Sequence, residues 1–151
     1  MITNELVTQK LNKLIEKNND ACLGYKSASE NVSNEQLKSF FERQAITRSR
    51  FANELKSELK QIHPAAELNN TGSLTGDLHR GWMDIKAAFS NESEEEVLEE
   101  CIRGEKASMD EYHEVLENVA NLPQSVCETI QKQHKEIHET VNTVQRLEDL
   151  H

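Results

Sequence analysis

Residues 7–32 read VTQKLNKLIEKNNDACLGYKSASENV, and their apolar members Val7, Leu11, Leu14, Ala21, Tyr25, Ala28 and Val32 fall three or four positions apart. That spacing lays them along one side of an α-helix, whereas a strand would alternate apolar and polar residues. The pattern predicts a first helix over about 3–32. Ser33 with Gln36 forms a capping-box pattern, so a second helix is expected to open there and run over 34–62. Its stripe is Leu37, Phe41, Phe51, Leu55, Leu59 and Ile62. It should stop before Pro64, which has no N–H to continue the ladder. A turn this short makes the two helices antiparallel neighbours.

Working outward, residues 64–75 (PAAELNNTGSLT) are small, polar and turn-prone, and read as a flexible linker. A shorter amphipathic piece over 74–89 carries Leu74, Leu78, Trp82, Ile85 and Phe89. Ser93 with Glu96 is a second capping box, and the acidic run 94–96 suits the partial positive charge of a helix start. The helix predicted there spans 94–120, with Leu98, Ile102, Met109, Tyr112, Leu116 and Val119 in register. Pro123 is placed to open a last helix over 123–149, carrying Ile130, Ile137, Val141 and Val144. The expected architecture is a single all-α domain over 1–151. Four long helices form the bundle, and one long crossover contains an extra short helix, the arrangement of ferritin-like folds. A simple up-down-up-down bundle is the alternative.

Composition sets bounds on function. Against 27 acidic residues stand 17 Lys and Arg, a net charge of −10 that repels phosphate backbones and anionic membrane surfaces. Nucleic acid is therefore not the expected partner. No apolar run reaches membrane-spanning length and no basic-then-apolar leader opens the chain, so a cytoplasmic protein without membrane insertion is expected. Cys22, Cys101 and Cys127 are odd in number and widely spaced, which suits reduced, largely buried thiols.

Each long stripe is interrupted near its middle by polar residues: Asn18, then Gln44 with Thr47 or Arg48, then Glu105, then His134. Four polar side chains at one depth of a bundle need partners, because an unpaired buried amide costs roughly 1–3 kcal/mol and an unpaired carboxylate more. One way to satisfy them is a metal centre of iron, manganese or zinc. Bundles of this kind build such a centre from a Glu on each of two helices and a Glu-x-x-His pair on each of the other two. Glu105 and His134, with His138 one turn on and Asp20, are the residues it would use. The other way is a self-satisfied network in which Asn18, Gln44 and His134 bond Glu105 and Arg48 supplies the counter-charge. Oxygen-activating iron wants several carboxylates, and this layer offers Glu105 alone, so the network is the expected answer and no cofactor is required. On that reading Glu105→Gln leaves folding intact or improves it. His79-Arg80-Gly81-Trp82 is the most distinctive local string, and His79, Arg80 and Trp82 are the candidates for a small-molecule or partner surface.

Three strings carry a resemblance: LNKLIE at 11–16, LHRGWMD at 78–84, and Gly104-Glu105 with Tyr112. Together they resemble a bacterial family of ferritin-like four-helix-bundle proteins of unknown function, within the rubrerythrin and ferritin-like superfamily. Against the rubrerythrin-like pattern, Gly104-Glu105 followed by Tyr112 is similar to the third bundle helix, with Ser108 where a second carboxylate would stand. Gln131-x-x-His134 resembles a Glu-x-x-His whose acid has become an amide. Gln44-x-x-Thr47 resembles the other such pair with both ligands lost, and Asn18 stands for the lone glutamate of the first helix. The resemblance thus implies a non-enzymatic protein with a degenerate metal site. The rival expectation is a metal-binding redox protein with a reduced ligand set of Glu105 and His134. Self-association as a homodimer is the expected partner relation.

Overall fold

The computed structural model describes residues 4–64, 94–118 and 122–149, and among them every regular element is a helix. They are α1 (Asn4–Asn31), α2 (Glu35–Ile62), α3 (Glu94–Asn118) and α4 (Gln124–Asp149). The short helix expected over 74–89, with His79, Arg80 and Trp82, and the cap expected at Ser93 lie outside the described residues.

The caps show how the chain punctuates these helices. The N-cap of α2 is Asn34, not Ser33. Its backbone is extended (φ −69°, ψ 120°), and its side-chain oxygen accepts the N–H groups of Gln36 at 2.9 Å and Leu37 at 3.1 Å. Asn is among the best residues at this position, and Leu37 in the first turn of the helix is buried. At the other end the N–H of His63 reaches the Leu59 carbonyl at 2.8 Å, and the helix stops before Pro64. Pro123 precedes α4 and its carbonyl accepts the Cys127 N–H at 3.0 Å, the first bond of that helix.

The helices pack as a four-cornered bundle in which α1 touches α2 and α3, and α4 touches α2 and α3. Side-chain links fix the directions. Lys10 pairs with Glu114 and Asn18 with Tyr112, so α1 and α3 run antiparallel. Gln44 pairs with Thr140 and Glu58 with Ser125, so α2 and α4 also run antiparallel. With short turns from α1 to α2 and from α3 to α4, the order is up, down, down, up. The chain therefore leaves α2 at one end of the bundle and enters α3 at the other.

The core consists of two apolar clusters stacked along the bundle axis. One holds Tyr25, Ala28, Phe40, Phe41, Leu98 and Cys101 with their neighbours, and the other Leu11, Leu14, Phe51, Leu55, Tyr112 and Ile130 with theirs. Between the clusters lie the buried polar residues Asn18, Arg48 and Glu105. No described helix is long and apolar enough to cross a membrane.

Replacing Asn34 by Ala should lower stability by about 1 kcal/mol, because two N–H groups at the start of α2 lose their acceptor. Chemical denaturation is expected to show Asn34→Ser close to the parent protein and Ser33→Ala losing less than Asn34→Ala.

Candidate functional site: a buried polar network

The layer between the two apolar clusters is built on a heptad step. Asn18 follows Leu11 by seven residues, Arg48 follows Phe41, Glu105 follows Leu98 and Gln133 follows Val126. Each therefore takes the inward position that an apolar residue holds two turns earlier. All four are buried, at 0–1 % exposure, including the whole Arg48 side chain.

Their hydrogen bonds form one connected path. Arg48 donates through Nη2 to Glu105 Oε1 at 2.9 Å and through Nη1 to Asn18 Oδ1. Asn18 Nδ2 spends its two hydrogens on the Leu14 carbonyl at 2.8 Å and the Tyr112 hydroxyl oxygen at 2.7 Å. Tyr112 in turn donates to Gln133 Oε1 at 2.6 Å. Gln133 Nε2 then donates to Glu54 Oε1 at 2.9 Å and the Phe51 carbonyl at 3.3 Å. Each donor finds an acceptor in a single direction, from the guanidinium toward the Glu54 carboxylate. All four helices contribute, so the path ties their registers together.

Burial and charge act together on the Arg48 guanidinium and on the phenols and thiol around it. Burial alone would lower the pKa of Arg48, but the Glu105 charge, the two tyrosine hydroxyls and the hydrogen bond to Glu105 together raise it. The guanidinium therefore stays charged, facing a carboxylate that is itself 1 % exposed. Burial pushes the Tyr112 phenol up, with Arg48 and Asn18 opposing, and burial and the adjacent Glu105 charge raise the Tyr25 phenol as well. Cys101 is raised well above the ordinary thiol range by burial, then by Glu105 and Glu100. A protonated, buried thiol is a poor nucleophile, so Cys101 belongs to the packing. All three cysteines are free.

Of the residues singled out in the sequence, Asn18, Arg48 and Glu105 meet in this layer. Gln44 does not join them. It is half-buried one turn from Arg48 and accepts a bond from Thr140 Oγ1 at 3.3 Å. Thr47 is half-buried as well, since one step along a helix turns a side chain by about 100° away from Arg48. His134 is off the layer for the same reason: the inward residue of α4 is Gln133, one position earlier. His134 lies half-buried beside His113 on α3, with ring centres 6.4 Å apart, and His138 is exposed. Burial, then the neighbouring His113 and His138, hold the pKa of His134 below the ordinary histidine value. Asp20 is 1 % exposed, because the buried arc of α1 is wide enough to include Lys17 and Asp20 beside Leu14 and Ala21. Its nearby charge supports protonation of Lys17, whose pKa burial lowers. Glu105, His134, His138 and Asp20 thus do not gather around one point, and among the described residues no three His, Cys, Asp or Glu side chains are grouped to hold a metal.

Three members of the network, Tyr112, Gln133 and the terminal Glu54, were not legible in the sequence as polar partners. Tyr112 counts there as an apolar stripe residue, yet its hydroxyl bridges Asn18 and Gln133. Gln133 was available from the spacing of α4, since Val126, Ile130, Gln133 and Ile137 step by four, three and four.

Residues 6–118 match the family model described as Domain of unknown function (DUF2383), and the chain belongs to that family. No curated protein matches it. The match contains Asn18, Arg48, Glu105 and Tyr112, whereas Gln133 lies on α4 beyond its end.

The ion pair reverses the expectation that Glu105→Gln is harmless. An amide keeps the shape but leaves the buried guanidinium without its counter-charge, and breaking one side of such a pair costs about 3 kcal/mol or more. Tyr112→Phe should cost less, about 1–3 kcal/mol, by leaving Gln133 Oε1 without its donor. Urea denaturation of the two variants should rank them in that order.

Proposed function

We propose that this chain is a non-enzymatic bundle of ferritin-like topology, in which a self-satisfied polar network stands where related bundles hold a metal centre. The observation that carries the reading is Arg48. Its guanidinium lies fully buried at the centre of the layer, bonded to both Asn18 and Glu105. A fixed positive charge there repels a cation, and it occupies the carboxylate that would otherwise be a ligand. The up, down, down, up order of the helices supports the ferritin-like part, because one long connection between parallel second and third helices distinguishes that topology from an alternating bundle.

Amides at Asn18 and Gln133 extend the same logic. They are neutral, they both donate and accept, and they satisfy a buried tyrosine, whereas a pair of iron ions needs several carboxylates to balance its charge. Phenols and a thiol held in their protonated forms add no nucleophile or base at neutral pH. The protein then acts through its surface, as a cytoplasmic, self-associating interaction module whose acidity disfavours nucleic acid.

Elemental analysis of protein purified without added metal tests the proposal. It should find no iron, manganese or zinc bound through Glu105. One or more equivalents per chain that disappear in Glu105→Ala would overturn it.

A further inference from the structure

We propose that His113 on α3 and His134 on α4 together bind a divalent transition-metal ion of the zinc, nickel or copper class on the bundle surface, apart from the buried network. The two rings belong to adjacent antiparallel helices, lie 6.4 Å apart between centres and are tilted by 31°. With metal–nitrogen bonds of about 2.0–2.1 Å, an ion shared by two imidazoles sets their ring centres roughly 5–6.5 Å apart, so this spacing is within reach of a small rotamer change. Imidazole selects these borderline ions over calcium or magnesium, which prefer oxygen.

Three features of the surroundings favour the ion. His113 is 60 % exposed and His134 half-buried, so a cation keeps water in its remaining positions and need not be stripped to enter. His113 Nε2 lies 3.1 Å from Glu117 Oε1, one turn along the same helix. The carboxylate places negative charge beside the ring, which favours a cation there. The net charge of −10 attracts cations to the surface as a whole. His138, one turn beyond His134, is close enough to influence it electrostatically but is not required by the geometry.

Thermal unfolding of the full chain in zinc chloride at pH 7.5 tests this assignment. Zinc should raise Tm in a saturable way, and chelation by EDTA should reverse the rise. His113→Gln and His134→Gln should each weaken the apparent zinc affinity by about tenfold or more, as expected for loss of a ligand. Both histidines reach solvent, so these variants are expected to fold. His138→Gln should leave the response unchanged. No zinc-dependent rise in the parent protein, or a response lost in His138→Gln and kept in His113→Gln, would overturn the proposal, the latter by placing the ion within α4 alone.

Discussion

The arrangement of the bundle depends on how a buried guanidinium and a buried carboxylate are kept satisfied. Removing two charges from water costs several kcal/mol each, and their attraction repays that only when geometry is good and the remaining hydrogen-bonding capacity is used. Arg48 and Glu105 come from parallel helices at opposite corners of the bundle. The contact therefore crosses the core, and Asn18 on α1 completes it from the side. A slip of any one helix by a residue would turn its member away and strand the rest. The network thus penalises alternative registers in a core whose two apolar clusters alone would tolerate them.

Stability and specificity are divided between different parts of the interior. Leu11, Leu14, Phe41, Phe51, Leu55, Leu59 and Ile130 are buried in two blocks that drive collapse. The polar layer between them adds little net free energy if complete and removes much if broken. Its far end leaves the core through Gln133 to Glu54, which is partly exposed and lies beside Arg50, itself bonded to Glu136. Charge thus alternates from Glu105 through Arg48 to Glu54 and Arg50, and the interior is not left with an isolated ion.

The apolar stripes were legible because helical periodicity needs no tertiary information. Val7, Leu11, Leu14, Ala21, Tyr25 and Ala28 were named from spacing and are buried, as are Ile130, Ile137, Val141 and Val144. The polar layer was legible as interruptions of those stripes, which brought out Asn18, Arg48 and Glu105. It failed where neighbouring residues compete for one inward position. Between Ile130 and Ile137 both Gln133 and His134 fit a step of three or four, and histidine drew attention as a potential ligand. Packing against α2 and the tyrosine of α3 chose the glutamine. The burial of Asp20 and Lys17 was not legible, because a stripe predicts the centre of a buried face and not its width. The start of α2 moved from Ser33 to Asn34 because two adjacent residues were both competent caps.

A double-mutant cycle across the ion pair addresses the central claim most directly. Arg48→Met, Glu105→Leu and the double variant should be compared by equilibrium urea unfolding. Each single change is expected to destabilise strongly, and the double variant less than the sum, with a coupling energy of at least about 2 kcal/mol between the two sites. Additive losses, agreeing within about 0.5 kcal/mol, would mean that the two charges do not depend on each other and that the network does not hold the bundle in register.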